Sequence, residues 1–527
     1  MNKLIENPIL RGFNPDPCIV RAGEMYYIVV SSFEWLPGVR VYQSRDLACW
    51  EHCTDILTNQ VDLRGNPKNC SIWAPQLSYH GGLFYLVYTD VKSTRRPFKD
   101  AHNFLITAPS IEGPWSEPVY LNSSGFDPSL FHDEDGRKWL LNALWDYRIK
   151  ESNKSSGIVM QEYDSVQQRL IGEPIKIFDG TWLKKTEAPH IYKQNGYYYL
   201  ITAEGGTGSG HAVTVARSQE LSGPYEVDPH NPMLTSRDNP ELELQCAGHG
   251  SLVQTPAGEW YMAHLCTRPI EGKYAIIGRE TALQQVYWDR DGWLRLTAGG
   301  NTPQLHVPQP EGGSLSGETQ AQSRDFADEF DCTQLKKGWN TLRILVDESW
   351  CSLAARPGYL RVTAGESVQS LFRHHLLAIR QTDKRFRAET VQEYDPWSYL
   401  QMAGLLLYLN DENYLYACVS RDETLGKVLR MMKCEGDQFT LLPEAVAIDE
   451  QVPVHLAVEA NETDAQFYFR TGVGDADEWK PLLEQQRISF LSGGFTGNFI
   501  GIGAHDMQQF AGSHADFSSF RYYGKDE

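Results

Sequence analysis

From residue 1 to about 305, apolar and polar positions fall into short paired runs. A small polar or turn-forming residue opens a brief apolar stretch, a polar Gly-bearing turn follows, and a second run rich in aromatic and β-branched residues completes the pair. This pattern occurs five times. Asn14-Pro15-Asp16-Pro17-Cys18-Ile19-Val20 leads to Met25-Tyr26-Tyr27-Ile28-Val29, and Trp73-Ala74-Pro75-Gln76-Leu77 leads to Leu83-Phe84-Tyr85-Leu86-Val87. Phe126-Asp127-Pro128-Ser129-Leu130 leads to Arg137-Lys138-Trp139-Leu140-Leu141, and Thr186-Glu187-Ala188-Pro189-His190-Ile191 to Gly196-Tyr197-Tyr198-Tyr199-Leu200. Gly248-His249-Gly250-Ser251-Leu252-Val253 leads to Glu259-Trp260-Tyr261-Met262. The starts lie roughly 53 to 62 residues apart, a period that marks a repeat architecture. Five β units that must close on themselves predict a five-bladed β-propeller.

A second device recurs beside the first. Segments ending at Trp50, Trp115 and Tyr225 each follow a strand pair and read as the turn into a blade's outer strand, with the aromatic packed between blades. Asp289-Arg290-Asp291-Gly292-Trp293 reads as a hairpin turn of the same kind. From Pro308 to Arg324 the chain turns polar and rich in Gly, Ser and Pro, which predicts a linker. Beyond it the repeat stops, but the β character continues in Tyr359–Thr363, Gly404–Leu409 and Val454–Val458. Short strands without helical periodicity predict a two-sheet sandwich. The expected organisation is an all-β chain: a propeller over 1–307, a linker over 308–324 and a β-sandwich over 325–527.

Composition narrows the function. The chain of 527 residues carries a formal net charge of -20, which argues against nucleic acid or an anionic membrane as partner. No apolar run of signal or membrane-spanning length is present, so a cytoplasmic protein is expected. Ten cysteines are spread through the chain without a C-x-x-C pair, which predicts free thiols and no disulfide framework.

Aligning the five copies places Asp16, Ala74, Asp127, Ala188 and His249 at one equivalent position. In a propeller such positions converge on the axis, so two aspartates and a histidine are expected at one mouth of the channel. Glu187 is offset by one, with Pro15, Trp73, Phe126 and Gly248, and should face the same pocket from another wall. Glycosidic cleavage needs a protonated carboxylic acid and an ionised carboxylate. A third carboxylate nearby can keep the acid protonated. Asp16, Asp127 and Glu187 supply that set.

Asn14-Pro15-Asp16-Pro17, Phe126-Asp127-Pro128-Ser129-Leu130 and Thr186-Glu187-Ala188-Pro189-His190 resemble the three signatures of glycoside hydrolase family 43. Phe33–Val39, Trp73–Gln76, Gly205-Gly206-Thr207 and Gly278-Arg279-Glu280-Thr281 match as well, and the likeness to the two-domain β-xylosidase branch spans essentially the whole chain. The resemblance implies a five-bladed propeller followed by a jelly-roll, concanavalin-like sandwich. It also implies inverting exo-hydrolysis of β-1,4-linked xylo-oligosaccharides, with α-L-arabinofuranosidase side activity. It assigns Asp16 as general base, Glu187 as general acid, and Asp127 as the group that keeps Glu187 protonated. Arg279 matches an arginine that reaches sugar hydroxyls; Phe33, Trp73 and Phe126 match sugar-stacking walls, and Thr207 a hydroxyl contact.

His249 matches a histidine that in some members lies near a bound calcium or other ion; a water-plugged channel is the alternative, and no cofactor is required. Phe495, with Phe499 next, matches a phenylalanine of the second domain that closes one side of the pocket. A homo-oligomer, dimer or tetramer, is also implied. Competing readings are an arabinofuranoside- or arabinan-directed hydrolase, a retaining hydrolase of the fructosidase type, and a non-enzymatic lectin-like propeller. The fructosidase type wants an Asn-Asp-Pro-Asn motif and a Glu-Cys acid, which Asn14-Pro15-Asp16-Pro17 and Glu187-Ala188 do not supply. If the second domain completes the pocket, deleting residues 325–527 should abolish turnover of xylobiose, whereas an accessory module could be removed with activity largely intact.

Overall fold

The computed structural model describes residues 4–311, 324–472, 478–508 and 512–525, and none of them is helical. Two compact units result. One comprises residues 1–61, 69–268 and 279–319; the other comprises 62–68, 269–278 and 320–527. The second unit therefore takes two short excursions from within the repeat region, which the sequence reading assigned whole to the propeller. Most of the anticipated linker, 312–323, lies outside the described residues.

The first unit is a five-bladed propeller. Its blades begin with the strands Cys18–Ala22, Ser71–His80, Gly125–His132, Glu187–Gln194 and Gln245–Gln254. Each first strand pairs antiparallel with the next in sequence, and each blade extends outward through four strands in chain order, with the short strand Trp35–Leu36 of the first blade's stretch standing outside its sheet. The fourth blade carries one further short strand, Leu234–Thr235. Antiparallel hairpins in sequence order explain why the repeat was visible in the chain: the strand pairing of each blade is local.

Polar groups join the first strands into a ring. The Cys18 thiol donates to the Leu77 carbonyl at 3.4 Å, and the Leu130 amide donates to Gln76 Oε1 at 3.0 Å. The Ser129 hydroxyl donates to the Pro189 carbonyl, the Leu252 amide to the Tyr192 hydroxyl at 2.8 Å, and the Ile19 amide to Ser251 Oγ at 3.1 Å. Apolar clusters fill the wedges between blades. Ile19, Ile28 and Val30 of the first blade pack with Val253, Tyr261 and Leu283 of the fifth, and Ile201 and Val213 of the fourth pack with Met262 and Val286 of the fifth.

The aromatic turn device has two versions. Trp50 is buried in the wedge between first and fifth blades. Trp115 and Tyr225 are only half-buried and hydrogen-bond back to Ile111 and Leu221 of their own turns, so they brace the turn instead of the blade interface. Strands Leu4–Glu6 and His306–Pro308 pair, bringing the two ends of the propeller's chain together.

The second unit is a sandwich. One sheet includes, in spatial order, Leu360–Thr363, His514–Gly524, Arg385–Glu393, Val454–Asn461 and Asp464–Thr471. The other includes Gly426–Glu435, Asn413–Asp422, Gln401–Asn410, Phe499–Asp506 and Leu376–Arg380. Arg385–Glu393 alternates half-buried and buried residues without a break, the period-two pattern of a sheet with one face on a core. That core includes Leu377, Phe386, Leu405, Leu407, Leu456 and Phe520. None of the ten cysteines is in a disulfide.

Asn7 fastens the N-terminal segment to the fifth blade. Its Nδ2 donates to the carbonyls of Leu283 (2.7 Å) and Gln304 (2.8 Å), and its Oδ1 accepts from the Leu283 amide at 2.8 Å. Asn7→Ala leaves buried backbone groups unpaired and should cost about 1–3 kcal/mol for each group that water cannot reach. A fall in Tm without a change in KM is the expected readout.

Candidate active site

The equivalent positions of the five repeats share one backbone irregularity. Asp16, Ala74, Asp127, Ala188 and His249 all have positive φ, between 37° and 55°. In the ladders, Trp73 pairs with Thr89 but Gln76 with Val87, so two residues oppose one. The same two-for-one step separates Phe126 from Ser129, Glu187 from His190, and Gly248 from Ser251. In the first blade the Ser31 amide reaches the Pro15 carbonyl at 3.1 Å, while Cys18 pairs with Val29, which spans Asp16 and Pro17 in the same way. This is a β-bulge repeated in every blade. A left-handed residue inside a strand is strained for anything but glycine, though aspartate tolerates it better than most.

Asp16 is buried and densely held. Arg279 Nη1 donates to its Oδ1 at 2.8 Å and Nη2 to its Oδ2 at 3.3 Å. The Ser31 hydroxyl donates to Oδ2 at 2.7 Å, and His249 Nδ1 lies 3.7 Å from Oδ1. The Asn14 amide donates to the Arg279 carbonyl at 2.8 Å, and the Thr281 hydroxyl donates to the Asn14 carbonyl at 2.7 Å, so the backbones carrying base and guanidinium are fixed to each other. Burial pushes the Asp16 carboxyl upward, but Arg279, His249 and Ser31 outweigh it and hold the group below the ordinary aspartate value. Asp16 is ionised across the neutral and mildly acidic range.

Asp127 and Glu187 go the other way. Burial first, then the charges of Glu187 and Asp16, push Asp127 well above its ordinary range. Burial raises Glu187 to about 7, with Asp16 adding to the rise and Lys99 opposing it. The pair titrates as a unit and retains a proton where Asp16 has lost its own. The Asp127 amide is anchored to Thr89 Oγ1 at 3.2 Å, and the Thr89 hydroxyl donates to Asn103 at 2.8 Å. Beside Glu187, the Thr186 hydroxyl donates to the buried Glu204 at 3.1 Å, which fixes the strand entrance.

The anticipated walls come together. Phe33 and Trp73 have ring centroids 5.9 Å apart, and Trp73 meets Phe126 edge-on at 5.8 Å. The Arg279 guanidinium lies 5.4 Å from the Phe33 ring. Thr207 is half-buried in the loop after strand Tyr197–Glu204. Glu187 pairs with Ala203 of that strand, so the loop stands at the Glu187 end of the blade. Phe495 belongs to the sandwich unit, half-buried just before strand Phe499–Asp506. Among the described residues no three or more His, Cys, Asp or Glu side chains are placed to hold a metal ion.

Besides Ser31, which holds Asp16, two further residues of this site escaped the sequence reading. The Lys99 ammonium lies 3.7 Å from the Phe126 ring centroid, 4.1 Å from that of Trp145 and 4.8 Å from that of Trp73. Burial lowers its pKa to about 8 against the pull of Glu187 and Asp127. Lys99 lies just before the third strand of the second blade, and Trp145 ends the second strand of the third. Neither lies in the repeated motif, so alignment of the copies carried no signal for them.

Residues 5–294 match the family described as Glycosyl hydrolases family 43, and residues 327–523 match the family described as Beta xylosidase C-terminal Concanavalin A-like domain. The chain belongs to glycosyl hydrolase family 43. Within that family it is 44% identical to a protein named Beta-xylosidase from Bacillus subtilis (strain 168), over 99% of this chain and all of that one. It is 43% identical to Xylosidase/arabinosidase 43B of Humicola insolens, over 98% of this chain and 97% of that one. The solved structure of xylan beta-1,4-xylosidase from Bacillus halodurans C-125 superposes with a TM-score of 0.95 at 48% identity, covering 98% of this chain and all of that one.

Arg279 is the main charge that keeps Asp16 ionised in a buried setting. Arg279→Leu should therefore raise the acidic limb of the kcat/KM profile by about 1–3 pH units, together with a loss of kcat, measured on an aryl xyloside between pH 3 and 8.

Proposed function

We propose that this family 43 enzyme is an inverting exo-β-xylosidase that removes terminal xylose from β-1,4-xylo-oligosaccharides. The observation that carries the reading is the opposed protonation of its axial carboxyls: Asp16 held ionised beside Arg279, Glu187 raised to about 7. In this reading Glu187 protonates the departing glycosidic oxygen while Asp16 takes a proton from the attacking water. Asp127, itself raised by burial and by the charge of Glu187, titrates with Glu187 as one pair, so the two carboxyls do not both ionise. Phe33, Trp73 and Phe126 give the pyranose its apolar walls, and Arg279 has N–H groups to offer sugar hydroxyls while it balances Asp16.

The pH dependence follows from these directions. Activity needs Asp16 ionised, so it is lost as pH falls through a value below 3.8; it needs Glu187 protonated, so it is lost as pH rises through about 7. A bell with its plateau on the acid side of neutral is the expected profile.

Glu187→Gln should lower kcat on xylobiose by about 10²–10⁴-fold and abolish the limb near pH 7. Aryl xylosides with good leaving groups should be far less affected, since they need no proton. Retained turnover of xylobiose by this variant would remove Glu187 as the acid. NMR of fresh product should show α-xylose first; β-xylose would contradict inversion.

A second reading, α-L-arabinofuranosidase, is favoured by the relative from Humicola insolens whose name includes arabinosidase. The ratio of kcat/KM on xylobiose and on arabino-oligosaccharides decides which activity dominates.

A further inference from the structure

Beneath the reacting ring, the first strands carry a second ring. Two residues on from Asp16, Ala74, Asp127, Ala188 and His249 stand Cys18, Gln76, Ser129, His190 and Ser251, a step of about 7 Å along a strand. Two residues further are Val20, Ser78, Phe131, Tyr192 and Val253. Both sets line one cavity of about 420 Å³ that all five blades share.

Every member of the second ring has a polar atom or a thiol. Four of them are committed to the blade-to-blade bonds given above. His190 is the exception. It is 7% exposed and its ring stacks on that of Tyr192 with centroids 6.3 Å apart. Among the described residues neither of its ring nitrogens has a hydrogen-bond partner. Burial, then the charge of His249, lowers its pKa to about 3. At working pH it is therefore a neutral imidazole, with one N–H donor and one acceptor, next to the catalytic ring.

Inverting hydrolysis consumes one water per turnover, on the face of the sugar opposite the leaving group. The oxygen of that water bonds to the anomeric carbon as the bond to the leaving oxygen breaks. One of its protons goes to Asp16, and the leaving oxygen receives the proton of Glu187. A sugar seated at the mouth blocks approach from its own side, whereas a polar cavity of this size has both the room and the partners that water requires. We propose that the axial cavity supplies the attacking water from the far side of the propeller, and that His190 is the positioning residue that passes it up to Asp16. This rests on the reading of Asp16 as general base.

Two variants test it on xylobiose. His190→Phe keeps the flat ring and removes both nitrogens. Val20→Trp fills the cavity from its lower ring, four residues from Asp16, without entering the catalytic ring. Both should lower kcat by about tenfold or more with KM within about twofold and Tm unchanged, and His190→Gln should recover most of the loss.

Two further readouts separate water supply from a general disturbance. The loss at His190→Phe should persist on aryl xylosides with good leaving groups, where loss of the acid is masked. The acidic limb should stay in place, because a neutral ring contributes no charge to Asp16. If both variants retain wild-type kcat, or if a good leaving group restores His190→Phe, the proposal is overturned while the xylosidase reading stands. If the unmodified enzyme fails to cleave xylobiose, the underlying reading falls instead.

Discussion

The two-for-one bulge at the head of every first strand is the constraint on which the rest of this structure depends. A regular strand alternates its side chains between the two faces of a blade. Inserting one left-handed residue re-aims a side chain at that point, and doing so in five blades gathers five such positions around one axis. Two of the five are aspartates and one is a histidine, while Ala74 and Ala188 keep the same strained backbone with a minimal side chain. Architecture therefore sets the geometry, and the choice of residue at each equivalent position sets the chemistry.

Gathering acids has an electrostatic cost that the site resolves unevenly. Three carboxyls in a buried space cannot all ionise, because burial and mutual repulsion both favour the neutral form. Arg279 settles the matter for one of them: its two bonds to Asp16, with Ser31 as a third donor, favour the charged form there and leave the proton to Asp127 and Glu187. Lys99 works on the opposite side, held against three aromatic rings and balancing Glu187 and Asp127. The separation into ionised base and protonated acid thus follows from Arg279 sitting on Asp16, while burial and the neighbouring carboxylates keep the proton on Asp127 and Glu187 against the pull of Lys99.

The aromatic rings serve the same arrangement. Phe33, Trp73, Phe126 and Trp145 form a continuous series of ring contacts. Such a wall excludes water from the flank of the carboxyls and keeps the local dielectric low, so the effects of Arg279 and Lys99 are strong. It is also the flat apolar surface on which a pyranose can lie.

Much of this was legible in the chain because a propeller repeats locally. Antiparallel hairpins in sequence order leave a visible period, and aligning its copies named Asp16, Asp127, His249 and, one place aside, Glu187. The same alignment set Trp73 and Phe126 at the position of Glu187, and the family resemblance implied that they wall the sugar. Outside the repeated motif, Phe33, Thr207, Arg279 and Phe495 were named only through the family resemblance, and Lys99 and Trp145, which reach the site because the second and third blades adjoin, left no trace. The assignment of 62–68 and 269–278 to the sandwich unit was equally invisible, since an excursion carries no compositional mark of the unit it joins. The amino-acid order determined how many blades form and which residues occupy equivalent places. Only the closed ring decided which of the acids would be charged, because the guanidinium that ionises Asp16 comes from Arg279, 263 residues along the chain and in another blade.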